Sequence, residues 1–461
     1  MSKFPIGNLW SKLAAGVLKT YFKYLSVPGM ISLGGGLPHP SKFPFTKIEL
    51  RTSQNQVLTF NQGGVDNKQE EEGKGEEMED LGNHHLHLQY SRGCGMVQLQ
   101  ETIVDHMRVQ HSMDDSVHSC CVNVGSTDAT AKILLMLDAE PKVVLVDAFT
   151  YSSLLEQLET FGFEGRGVER DEEGMSVEQL RMAVEEEEEK SGLTPRLLYL
   201  IPTGQNPQGH TMSEERKDDI YEYCVEKGIA IIEDDSYYYL HLGEDGCEVP
   251  GLDNLPPSFL SRDKEGIVIR MDSLSKSFAP GCRLGWITGD KELIDKFQLF
   301  NEISCQFPSG FSQSFVTSIF QTWGHEGLAT HMKGIQEYYR NQRNLMLEAA
   351  TSHCGDLLEF EVPEAGMFMW FRLSHFNTIS SSNKFVNCRF KVKGVSCTQS
   401  LFPYLIEEKV LVIPGQAFHP SHSPSPFLRA TFATATGEEF NEAFRRIGEG
   451  IRKFLNDQKV N

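Results

Sequence analysis

The stretch Arg270–Gly289, RMDSLSKSFAPGCRLGWITG, limits what this chain can become more than any other. Ahead of it, EGIVIR is a short β-branched run that reads as a buried strand. Ser273, Ser275 and Ser277 surround a single lysine, Lys276, and Arg283 follows, with Gly281, Gly285 and Gly289 punctuating the rest. This places the lysine on a strand-to-turn segment rather than on a solvated helix face. A half-buried amine beside another cation has a depressed pKa and becomes nucleophilic. Small hydroxyls and a guanidinium fork are natural phosphate ligands. The pattern suits a Schiff base between Lys276 and a phosphorylated aldehyde; a surface loop lysine is the plainer alternative.

The segment SLSKSFAPGCRLGWITG resembles the cofactor-lysine segment of the class I/II, fold-type I aminotransferases that use pyridoxal 5′-phosphate (PLP). The likeness is strongest to the fungal-type aromatic amino acid aminotransferases and the kynurenine/2-aminoadipate aminotransferases. It runs from ISLGGGLPHP near the N-terminus to FLRATFATAT near the C-terminus. The resemblance implies an α/β fold: a large domain with a mainly parallel seven-stranded sheet, and a smaller α+β domain. In those terms residues 1–50 form an N-terminal arm and part of the small domain. Residues 51–89 read as an acidic, exposed insertion, 90–325 as the large cofactor-binding domain, and 326–461 as the small domain.

Charge and cysteines narrow the function classes. Across 461 residues, 64 Asp and Glu against 43 Lys and Arg give a net charge of −21, which argues against nucleic acid as a partner. No apolar run is long enough to predict a membrane span. Ten cysteines without C-x-x-C spacing point to reduced thiols and a cytoplasmic setting. A mitochondrial leader is the alternative, although residues 1–50 contain no arginine. His84, His85 and His87 lack nearby spaced cysteines, so they read as a solvated loop and no metal is expected.

In chain order, KLAAGVLKTYFKYL has helical periodicity, and the Gly/Pro-broken loop ISLGGGLPHPSKFPF follows. In the family this loop, which includes Gly36, lies against the substrate; a plain turn is the other reading. QEEEGKGEEMED carries no recognisable chemistry. The resemblance makes Tyr90 the tyrosine that reaches the cofactor phosphate of a neighbouring subunit, which implies a homodimer with shared sites. Arg92 is a further candidate for touching a substrate carboxylate.

CCVNVGSTDATAKILLML reads as strand, turn and helix start. Gly125, Ser126 and Thr127 there offer N–H groups and hydroxyls to a phosphate, or simply cap the helix. PKVVLVDAFTYSSLLEQL repeats strand, loop and helix, with Tyr151 placed either to stack on the pyridine face or to pack in the core. RLLYLIP and IAIIED flank a helical pattern and predict parallel strands with a crossover helix. The resemblance assigns Asn206 and Tyr237 to the cofactor's 3′ oxygen, and Asp234 to the pyridine nitrogen. Strand alternation turns Glu233 and Asp235 away from Asp234. Gln208 and Ser236 stand where the family commonly has threonine and proline. Arg429, in PSPFLRATFATAT, matches the anchor for the substrate α-carboxylate, with Asn206 and Gly36 as further substrate neighbours.

The activity implied is transamination of phenylalanine, tyrosine and tryptophan with 2-oxoglutarate as amino acceptor. Lys276, Asp234 and Tyr237 carry the chemistry. Ser126, Thr127, Ser273, Ser275 and Arg283 hold the phosphate. A 2-aminoadipate or kynurenine aminotransferase is the alternative, followed by a lyase or decarboxylase on the same fold, or a silent PLP-binding homologue.

Overall fold

The computed structural model describes residues 4–7, 47–52, 56–62, 84–137, 139–243, 246–374 and 397–460. The predicted helix over 12–25, the loop containing Gly36, the acidic run 69–80 and most of 384–400 lie outside the described residues.

The chain opens with strands β1 (Lys47–Arg51), β2 (Val57–Gln62) and β3 (His84–Leu86), then helix α1 (Val97–His111). Next come β4 (His118–Asn123), α2 (Ser126–Met136), β5 (Val143–Asp147), α3 (Ser152–Phe161) and β6 (Glu164–Val168). A small hairpin, β7 (Arg170–Asp171) and β8 (Gly174–Met175), leads to α4 (Val177–Ser191), which carries the glutamate run. The predicted strand–helix–strand follows as β9 (Leu197–Leu200), α5 (Glu214–Lys227) and β10 (Ala230–Asp234). Then come β11 (Val268–Ser273), β12 (Gly285–Asp290), α6 (Lys291–Ser304) and α7 (Gly310–Cys354). The C-terminal third supplies β13 (Leu358–Phe360), β14 (Phe368–Leu373), α8 (Cys397–Glu407), β15 (Ile413–Pro414), β16 (Phe427–Thr431) and α9 (Gly437–Val460).

Seven strands form one mixed sheet in the order β4-β12-β11-β10-β9-β5-β6. β10–β9, β9–β5 and β5–β6 run parallel and β12–β4 antiparallel, so the expected mainly parallel seven-stranded sheet is present. Every residue of β5, β9, β10 and β11 is buried. That is why β5 and β9 read as nearly continuous apolar runs instead of alternating ones.

By compactness the chain groups into two units. One comprises residues 6–136 and 271–328, the other residues 1–5, 137–270 and 329–461. Gly324, with φ +56°, interrupts α7 near the last division.

In the first unit, β1 and β2 pair antiparallel and β3 joins β2 in parallel. Leu58 and Phe60 of β2 are buried against Phe311, Phe315 and Ile319 of α7. The ends of the 51–89 stretch are therefore sheet, and His84 and His85 lie in a strand instead of the predicted loop. Neither histidine has strong strand propensity. Pairing with a half-buried neighbour makes the strand, an effect local composition does not carry. α6 is capped by Asp290, whose Oδ1 accepts the amides of Glu292 and Leu293.

In the second unit a four-stranded sheet, β13-β14-β16-β15, pairs antiparallel throughout. In EEKVLVIPGQAFHP the strand is limited to Ile413–Pro414. Proline lacks the N–H a longer ladder needs, and a 3-10 turn over Gly415–Phe418 takes the chain away. Among the described residues no helix is long and apolar enough to cross a membrane.

Candidate active site

In the unit of residues 6–136 and 271–328, strand register builds a phosphate cradle. β12 pairs with β4 so that Gly285 stands opposite Asn123. Two residues beyond that pair on each strand are Arg283 and Gly125, and the register brings them together. A Cβ built on Gly125 would stand 3.0 Å from Arg283 Nη2, and Gly125 has φ +113°, so glycine is required both for the turn and for the approach. Its N–H donates to Asn123 Oδ1 at 2.7 Å, fixing the turn that opens α2.

Ser126 and Thr127 are the first residues of α2, where the N–H groups of a helix start and the helix dipole favour an anion. The exposed Arg283 guanidinium donates to Ser275 Oγ at 3.4 Å, and Ser273 Oγ donates to Ser275 Oγ at 3.0 Å. The structure thus brings together Gly125, Arg283, Ser275 and Ser273. Lys276 is half-buried in the turn that follows β11, as the sequence predicted. Tyr90 is 59% exposed and meets Phe307 edge-on at 6.2 Å. Arg92 is exposed in a tight turn bridged to Gly95.

In the other unit, Asp234 ends β10 and Asn206 lies in the loop after β9. Both are at the carboxyl ends of parallel strands, where such sheets place their sites. Asp234 is buried, and two neutral hydroxyls donate to it: Tyr199 Oη to Oδ2 at 2.7 Å and Ser236 Oγ to Oδ1 at 3.0 Å. As alternation predicted, Glu233 and Asp235 face elsewhere, both at 3.1 Å from the buried Arg270 guanidinium. Tyr237 is buried and hydrogen-bonded to Asn206, and burial followed by the Asp234 charge pushes its phenol well up, so it stays protonated.

Arg429 Nη1 donates to Asn206 Oδ1 at 2.8 Å. Its guanidinium carbon lies 4.4 Å from the centre of the Phe368 ring and 4.6 Å from that of Phe418. Burial lowers its pKa, opposed by the nearby Tyr237 and Tyr151 hydroxyls. Tyr151 is half-buried at the N-terminus of α3. A desolvated guanidinium between aromatic walls attracts a carboxylate far more strongly than one in water.

The loop after β9 is braced from behind. Gln205 Nε2 donates to Asp147 Oδ2 at 3.1 Å and to Phe149 O at 2.6 Å, and its Oε1 accepts the Gln208 amide. Tyr199, Gln205, Phe368 and Phe418 escaped the sequence reading. Only Tyr199 left a signal: one hydroxyl-bearing residue inside the aliphatic run LLYL, paired with Ile232 and so on the face of Asp234.

These residues fit PLP. A cradle that a Cβ would fill, beside an arginine at a helix N-terminus, suits a phosphate. A buried carboxylate held by hydroxyls suits a protonated ring nitrogen. Among the described residues no group of three His, Cys, Asp or Glu could hold a metal ion.

The comparisons with known proteins agree with this chemistry. The family model for aminotransferase class I and II matches residues 49–447. The chain is 30% identical over 444 residues to the mitochondrial kynurenine/alpha-aminoadipate aminotransferase of Bos taurus, with 92% of each chain covered. It is also 30% identical over 442 residues to an aromatic amino acid aminotransferase of Schizosaccharomyces pombe, covering 92% of this chain and 90% of the other. Aminotransferase Aro8 from Candida albicans, a solved structure, superposes with a TM-score of 0.82 at 28% identity, with 98% of each chain covered.

Proposed function

We propose, from the premise that this chain belongs to the class I and II aminotransferases, that its amino donors are the aromatic amino acids phenylalanine, tyrosine and tryptophan. The enzyme is a PLP-dependent aminotransferase, as its family is. The acceptor in this reading is 2-oxoglutarate, so an aromatic 2-oxo acid and glutamate are the products. The observation that carries it is Arg429, a guanidinium clamped by Phe368 and Phe418 and tied to Asn206. The aromatic amino acid aminotransferase of S. pombe supports the donor class.

When bound, PLP supplies an electron sink for the electrons of the substrate Cα–H bond. Arg429 grips the donor's α-carboxylate with its remaining N–H groups and fixes which bond faces the base. Lys276 would hold the cofactor and, as general acid and base, would move the donor's Cα proton. Asp234 keeps the pyridine nitrogen protonated, and Asn206 and Tyr237 hold the 3′ oxygen. Tyr151 stacks on the ring. Ser126, Thr127, Ser273, Ser275 and Arg283 bind the phosphate, and Tyr90 reaches the phosphate of a second copy in a homodimer. Gly36 lies against the substrate. The eight cysteines among the described residues that are free support a reducing, cytoplasmic compartment.

Incubation of the PLP-loaded protein with a panel of donors and 2-oxoglutarate tests this. Glutamate should form fastest with the three aromatic donors. A preference for 2-aminoadipate or kynurenine would transfer the assignment to the other named relatives, and carbon dioxide release without glutamate would make it a decarboxylase.

A further inference from the structure

Three carboxylates follow one another at the end of β10, and their partners sort them. Glu233 and Asp235 share Arg270, and Glu233 also accepts the amides of Phe259 at 2.8 Å and Leu260 at 3.2 Å. Asp234 receives one hydroxyl on each oxygen, from Tyr199 and Ser236. The terminal torsion of aspartate is otherwise broad and poorly fixed. Two donors arriving on different oxygens hold that torsion.

The two hydroxyls differ in how they are held. Tyr199 is fully buried inside β9, and burial followed by the Asp234 charge keeps its phenol protonated and therefore a donor. Ser236 is half-buried, in the turn two residues beyond Asp234. Because its bond runs to a charged acceptor, removing it costs more than a neutral hydrogen bond would.

We infer that Ser236 is a positioning residue for the cofactor, its hydroxyl setting, together with that of Tyr199, the angle at which Asp234 meets the pyridine nitrogen. The inference rests on the reading of Asp234 as that nitrogen's partner. Ser236 touches neither cofactor nor substrate in this scheme; it acts through the carboxylate.

The experiment compares wild type, Ser236→Ala, Ser236→Thr, Tyr199→Phe and Asp234→Asn, and needs no turnover. One readout is the dissociation constant for pyridoxamine 5′-phosphate, which makes no covalent bond to lysine and so reports the non-covalent grip alone. The other is the pH midpoint of the visible absorbance of the PLP-loaded protein. Ser236→Ala should weaken pyridoxamine 5′-phosphate binding about tenfold and displace the midpoint. Tyr199→Phe should do the same, and Ser236→Thr, which keeps a hydroxyl, should stay near wild type. Wild-type values in Ser236→Ala, or equal losses in the Ala and Thr variants, overturn the inference. If Asp234→Asn also leaves both readouts unchanged, the reading of Asp234 itself fails; if it abolishes binding while Ser236→Ala does nothing, only the role of Ser236 falls.

Discussion

Arg429 and Asn206, 223 residues apart in the chain, meet through a 2.8 Å hydrogen bond from Nη1 to Oδ1. One edge of the guanidinium is thereby spent on an amide, and Phe368 and Phe418 cover it on two sides. The N–H groups that remain are oriented before any substrate arrives.

Arg429→Ala should therefore lower kcat/KM for phenylalanine by about two to three orders of magnitude, chiefly through KM. Arg429→Lys should recover only part, since a point charge cannot reproduce the fork. Steady-state kinetics at fixed 2-oxoglutarate measure both. An unchanged KM in Arg429→Ala would remove this residue from carboxylate binding.

Gly125 faces Arg283 with no room for a side chain, at a backbone angle that glycine alone adopts easily. Gly125→Ala should weaken cofactor binding at least tenfold, as should Arg283→Ala by losing a charge-assisted partner of the phosphate. Equilibrium titration with pyridoxamine 5′-phosphate reads the effect directly. Pyridoxamine without its phosphate should bind wild type and Arg283→Ala equally.

Lys276→Ala should cut turnover by at least about a thousandfold, the scale of a lost general acid–base group, while non-covalent pyridoxamine 5′-phosphate binding persists. Undiminished turnover in that variant would refute the site as a whole.

Asp147 supplies a pH signature. Burial pushes its carboxyl up to about 7 from 3.8, against the opposing hydrogen bond from Gln205. Between those values the folded chain binds more protons than the unfolded one. The stability this group contributes is therefore complete below about pH 4 and is lost as pH rises through about 7. Asp147→Asn has no such loss. Its melting temperature relative to wild type should climb from pH 5 to 7 and level off above about 8; a difference that stays flat with pH would contradict the assignment.

Gly366 has φ +80°, and a Cβ there would stand 2.8 Å from the carbonyl oxygen of Gly204, two residues before Asn206. Backbone cannot yield as a side chain can. Gly366→Ala should cost about 2 kcal/mol and lower the melting temperature by a few degrees. Displacement of the Asn206 loop should also raise KM for the donor, which the same kinetic assay would detect.

Much of this was legible from residue order. The parity of a strand turned Asp234 one way and Glu233 and Asp235 the other, and Arg270 collects those two as alternation required. The pattern RLLYLIP, helix, IAIIED gave β9, α5 and β10 in parallel because buried strands and an amphipathic helix differ in period. Illegible were β2 and β3, whose composition is ordinary and whose strand character comes from pairing.

What the sequence determined by itself was the chemical inventory and its local setting: a lysine in a turn after a buried strand, a carboxylate at a strand end, an arginine near the C-terminus, and the glycines beside them. Only the tertiary structure decided which groups share a bond. The register of β12 on β4 brings Arg283 to Gly125, neighbouring strands bring Tyr199 to Asp234, and separate elements bring Phe368 and Phe418 to Arg429. Periodicity fixes the face a residue presents. The partner it meets depends on strand order and register, which arise from burial summed over the whole chain.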